Sequence, residues 1–96
     1  MEDNKKQYLQ LMSEIIAKQA VILGPDAAIL KAKKAGVITD HKGNVTDVEG
    51  DAFQTFKQLV DGYKELLGQT AENIINPILE KYPQIKGLIK LWFFLC

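Results

Sequence analysis

The chain reads as a mainly α-helical domain with one β-hairpin, and three observations predict it. Apolar residues recur at threes and fours in several stretches, and single glycines stand where those stretches stop. Between them lies a β-branched run, "VITDHKGNVTDVEGD", with turn residues at its centre. With 96 residues, 47% of them hydrophobic and 25% charged, one packed domain over 1–96 is expected.

The first helix is expected over 4–23, with Leu9, Met12, Ile15, Ile16, Ala20 and Leu23 on its buried stripe. Gly24-Pro25 interrupts it, glycine as a stop and proline as the first residue of the next helix. That second helix, 25–35, carries Asp26 at its positive end and Ala27, Ala28, Ala32 and Ala35, small enough for close approach to a neighbour. Gly36 ends it. A hairpin over 37–49 follows, with strands Val37–Asp40 and Asn44–Glu49 around Lys42-Gly43-Asn44. Two strands are marginal in water, so the hairpin must pack on helices or pair with another hairpin.

Asp51 with Gln54 three residues on marks the start of a third helix, 51–67, whose apolar side holds Phe53, Phe56, Leu59, Val60, Tyr63, Leu66 and Leu67. Gly62 inside it costs helix propensity or marks a close crossing. Gly68 stops it. A fourth helix, 70–81, uses Ile74, Ile75, Ile78 and Leu79, and Asn76-Pro77 predicts a kink or break there. Tyr82-Pro83 precedes a fifth segment, 84–95. The architecture expected is a small bundle of about five helical segments, with consecutive helices antiparallel across short turns.

Residues 9–27 align with 53–71 at an offset of 44, identical at Gln10/Gln54, Leu23/Leu67, Gly24/Gly68 and Ala27/Ala71. A duplicated helix–Gly–helix unit would produce this pattern, and so would any two amphipathic helices with glycine stops.

Composition closes several functional classes. Twelve basic residues balance twelve acids, and every basic residue is lysine. Without a net positive face or arginine forks, nucleic-acid binding is not expected, and Lys31, Lys33 and Lys34 read as a solvated helix face. The chain offers one serine (Ser13, within a helix), one histidine (His41, in the hairpin turn) and one cysteine (Cys96). No nucleophile stands with a base and an orienting partner, so catalysis is not expected. Asp40, Asp47, Glu49 and Asp51 gather around the hairpin but match no EF-hand spacing, and the scattered glycines match no phosphate loop; no metal or cofactor is expected. A single cysteine allows no disulfide within the chain, and as the last residue it does not fit a prenylation box. The acidic, polar start shows no signal peptide, and a cytoplasmic residence is the expectation.

The end of the chain, "KGLIKLWFFLC", carries the functional reading. Its unbroken apolar run, Leu91 to Cys96, is too short for a membrane span. It is also apolar on all sides, which belongs in a core or an interface. Leu88, Leu91, Trp92, Phe93, Phe94 and Leu95 are therefore the expected interface of a small, non-catalytic interaction or regulatory module, homodimeric and open to a protein partner. Two alternatives compete. Residues 84–95, with Lys86 and Lys90 beside Ile89 and Trp92, also suit an in-plane helix on a membrane surface. The aromatics Phe53, Phe56 and Tyr63 also suit a module for an apolar or aromatic small ligand.

The stretch "GVITDHKGNV" resembles the first hairpin of roadblock-type dimerisation domains, which follow a helix with strands and a short acidic turn. The resemblance covers about ten residues. The later strands of that fold have no counterpart here, and no residue role is carried over.

Overall fold

A computed structural model describes residues 2–83 and 85. The elements follow in the order α1 (Glu2–Leu23), α2 (Pro25–Lys34), β1 (Val37–Thr39), β2 (Val45–Val48), α3 (Ala52–Leu67) and α4 (Gln69–Leu79). The described fold is thus a small, mainly helical domain with four helices and one antiparallel hairpin. Pro83 and Ile85 are also helical. The remainder of the expected fifth segment, 84–95, lies outside the described residues. No described helix is long and apolar enough to cross a membrane.

Each helix begins and ends for a local reason. Gly24 (φ 88°) and Gly68 (φ 58°) join α1 to α2 and α3 to α4, in backbone conformations that a side chain rarely adopts. Pro25 occupies the first turn of α2, Asp26 stands at its positive end, and Lys31, Lys33 and Lys34 stand at its negative end. Asp51 caps α3 as its sequence position predicts, its Oδ2 accepting from the Gln54 N–H at 3.0 Å. Pro77 does not end α4. The helix runs through it to Leu79, and the Glu80 N–H still bonds the Asn76 carbonyl at 3.3 Å. A proline removes one helical donor, here near the helix end, where the exposed face of α4 leaves the freed carbonyl to water.

The helices pair in a definite order. Tyr8, near the start of α1, packs edge-on to Phe53 with ring centroids 6.4 Å apart, and against Phe56 at 6.0 Å. Both phenylalanines lie near the start of α3, so α1 and α3 run parallel. At the opposite end the buried Tyr63 hydroxyl donates to the Ala28 carbonyl at 2.9 Å, tying α3 to the first turn of α2. From α4, Lys81 and Tyr82 return to Glu14 of α1. α2 and α4 therefore run antiparallel to the α1–α3 pair, and the turns at Gly24 and Gly68 share one end of the bundle. Ala28 and Ala32 are fully buried and Ala35 nearly so, which lets α2 lie close on α1.

The core stripe of α1 differs from its periodicity. The buried residues are Tyr8, Leu11, Met12, Ile15, Ile16 and Gln19; Leu9, Ala20 and Leu23 are only partly covered. Three elements pack on α1 besides its neighbour α2, and their positions choose the face. On α3 the stripe is Phe56, Leu59, Val60 and Tyr63, with Leu66 exposed, and on α4 it is Ala71, Ile75, Ile78 and Leu79. At the offset of 44, Met12/Phe56, Ile15/Leu59 and Ile16/Val60 are all buried, while Ala27 is exposed and Ala71 buried. The correspondence is carried by the first helix of each pair and stops beyond the glycine, which helical periodicity alone accounts for.

The hairpin pairs Val37 with Val48 and Ile38 with Asp47, then Thr39 with Val45, which leaves Thr46 as a bulge. Its turn is built by one carboxylate: Asp40 Oδ1 accepts from the N–H groups of Lys42 and Asn44, both at 2.9 Å. Val37, Val45 and Val48 face the core. Ser13 seats the sheet on α1. Its hydroxyl donates to the Leu9 carbonyl at 2.9 Å and accepts from the Val45 N–H at 2.8 Å. Losing that acceptor would leave a part-buried amide unpaired, at a cost of about 1–3 kcal/mol. Lys5 and Asp47 add a half-exposed ion pair at 2.9 Å, of the kind that surface screening keeps weak.

The glycines make a testable contrast. Gly24→Ala and Gly68→Ala each force a side chain into a strained backbone and should lose about 1–3 kcal/mol in urea unfolding. Gly62→Ala should instead gain up to about 1 kcal/mol. A Cβ there would lie 3.6 Å from Lys31 Cδ, an ordinary contact.

Candidate functional site

Five large apolar side chains are exposed among the described residues: Val21, Ile22, Leu30, Ile38 and Leu66. At the end where α1 and α3 stop, Val21 is 83% exposed, Ile22 49% and Leu66 49%. Ile22 and Leu66 each stand two residues before a glycine stop, Gly24 and Gly68. Leu30 and Ile38 are exposed singly elsewhere, as scattered apolar residues commonly are.

Near this end lies a second anomaly. Gln19 is completely buried, and neither its amide nitrogen nor its amide oxygen has a hydrogen-bond partner. A buried amide without partners costs about 1–3 kcal/mol. The Tyr8 hydroxyl is likewise buried and unbonded. Burial pushes the Tyr8 phenol above its usual pKa, helped by the negative charge of Asp51, and burial alone does the same, more strongly, to Tyr63.

The chain leaves the described fold at a fixed place. Ile85 is buried in the core. Just before it, the Tyr82 hydroxyl donates to Glu14 Oε2 at 3.3 Å, and Lys81 Nζ lies 3.5 Å from Glu14 Oε1. The expected interface residues Leu88, Leu91, Trp92, Phe93, Phe94 and Leu95 all lie outside the described residues. Glu14 is seven residues before Val21, so the two share a face of α1, about two turns apart.

The side chains weighed for chemistry are engaged in structure. Ser13 holds the hairpin to α1. His41 is exposed in the hairpin turn. Asp40 organises that turn, Asp47 pairs with Lys5, and Asp51 caps α3. Among the described residues, no three His, Cys, Asp or Glu side chains converge on a point that could hold an ion. Phe56 and Tyr63 are core residues, and Phe53 packs on Tyr8.

A polar groove of about 300 Å³ runs between the end of α2 and the start of α3, bordered by Lys34, Glu49, Asp51, Gln54, Thr55 and Gln58. It continues along Lys31, Asp61 and Glu65, where Lys31 and Glu65 pair at 3.7 Å. Its lining charges are mixed, with Lys34 and Lys31 facing Glu49, Asp51, Asp61 and Glu65.

Two measurements follow from these environments. Gln19→Leu removes the unpaired amide at nearly constant volume and should raise stability by about 1 kcal/mol in urea unfolding. The acid limb is the second. Hydrogen bonds from the Asn44 and Lys42 N–H groups hold the Asp40 carboxyl below its usual pKa, and Lys5 with the Val48 N–H does so for Asp47. Depressed carboxylates contribute stability above their unfolded pKa of about 3.9 and lose it as pH falls through the lower folded value. The melting temperature should therefore drop below about pH 4. Asp40→Asn, which keeps an acceptor but cannot titrate, should flatten that drop.

Compared with protein-family profiles, curated proteins and solved structures, this chain matches none.

Proposed function

We propose that this protein is a small interaction module that forms a homodimer through Leu88, Leu91, Trp92, Phe93, Phe94 and Leu95. The observation that carries the reading is the run after Ile85: eight of the eleven residues 86–96 are apolar, and none from Leu91 onward is polar. A run apolar on every side has to be covered, and a chain of 96 residues has little core to spare for it. Trp92, Phe93 and Phe94 are also the residue types that dominate binding energy where they are fully desolvated. The engagement of Ser13, Asp40, Asp47 and Asp51 in the framework supports a binding role over a chemical one.

Sedimentation equilibrium of the full chain tests this. The unmodified protein should be a dimer. Trp92→Glu with Phe93→Glu should weaken dimerisation at least about 30-fold, the effect of losing about 2 kcal/mol of anchor energy. A protein that stays monomeric at every concentration would overturn the reading, as would undiminished dimerisation of the variant.

A further inference from the structure

We propose that the polar groove between the end of α2 and the start of α3 binds a primary alkylammonium group, that of a small amine or of a lysine side chain, at a notch over Gly36 flanked by Thr55 and Glu49. This site stands apart from the dimer reading above and does not depend on it.

The first support is a hydroxyl that is nearly buried and has nothing to bond. Thr55 is 5% exposed and lines the groove. A Cβ on Gly36 would stand 3.8 Å from Thr55 Oγ1 and 3.9 Å from Glu49 Oε2, with no atom nearer apart from its chain neighbours. The two oxygens therefore border one open space. Among the described residues, neither Thr55 Oγ1 nor the Glu49 carboxylate has a hydrogen-bond or ion-pair partner. A polar atom this far from bulk water is costly to leave unmatched, and a donor in the notch would match it. Glu49 is exposed, so its carboxylate is free to swing onto a donor held at Thr55.

The second support is charge. Lys34 also lines this part of the groove, but Glu49 and Asp51 outnumber it. The negative end of α2 lies here, at Lys34 and Ala35, and favours a cation. The positive end of α3 is already met by Asp51, whose Oδ2 accepts from the Gln54 N–H.

The third is the fit of the group. Among the described residues, no three carboxylate, imidazole or thiol side chains converge to hold a metal ion. An ammonium needs fewer partners: it brings three donors of its own, and a carboxylate with a hydroxyl supplies acceptors for two of them. The groove holds about 300 Å³, room for the short alkyl chain behind that group.

Titration of the full chain, followed by amide proton–nitrogen correlation spectra, decides it. Propylammonium chloride should shift the Gly36, Glu49 and Thr55 amides saturably. Sodium chloride and tetramethylammonium chloride at the same ionic strength should not, because neither cation can donate a hydrogen bond. Glu49→Gln should weaken binding at least about tenfold, the usual loss of a charge-assisted bond. Thr55→Val should weaken it about fivefold while leaving the urea midpoint unchanged or higher, since no bond within the protein is lost. Acetyl-lysine methylamide as a second probe separates the sources: tighter binding than propylammonium assigns the site to a lysine side chain, weaker binding to a free amine. The proposal is overturned if neither probe gives a saturable shift, or if tetramethylammonium or inorganic phosphate shifts the same amides as strongly. Unchanged affinity in either variant overturns it as well.

Discussion

The rest of this structure depends on the burial of α1 from several sides at once. Its stripe from Tyr8 to Gln19 meets α2, α3, α4 and the hairpin, so α1 serves as the shared wall for every other element. In a chain this short, one central helix is an economical way to make a continuous core, because each neighbour buries its apolar face on the same surface. The consequences reach the surface. With α1 and α3 parallel, the two glycine turns fall at one end of the bundle.

Polar groups set the details that apolar contact leaves free. A two-stranded sheet has too little hydrogen bonding to stand alone, and here Ser13 fixes where it lies through the Val45 amide. Tyr63 does the same between α3 and α2 through the Ala28 carbonyl. Both bonds join residues more than 30 positions apart, so they select one arrangement of elements out of several that would bury similar area. Gln19 is the exception, a buried amide with no such bond. Its cost is carried by the surrounding core. The dimer proposed above draws on the apolar run Leu91 to Cys96.

Much of the local structure was legible in the residues. Gly24, Gly36 and Gly68 ended helices where their positions predicted, Pro25 opened α2, and Asp51 capped α3, because these depend on backbone conformation within a few residues. The hairpin was legible for the same reason, apart from the bulge at Thr46. Less legible was which side of a helix would be covered. Leu9, Ala20 and Leu23 fit the period on α1 as well as Leu11 does, yet Leu11 is buried and the others only partly. Ile22 and Leu66 fit a stripe but are about half exposed. Asn76-Pro77 predicted a kink or a break, and α4 continues through it to Leu79. Ser13 looked like an ordinary helical serine, and nothing near it in the chain reveals that Val45 will need its oxygen.

By itself, then, the sequence determined the helices, their stops, the single hairpin and the apolar character of residues 91–96, because each follows from side-chain type and spacing over a few residues. Only the tertiary structure decided the parallel placement of α1 and α3, the face of α1 that is buried and the role of Ser13. These depend on contacts between residues distant in the chain, where periodicity is equally satisfied by several packings and a few hydrogen bonds and ring contacts choose among them.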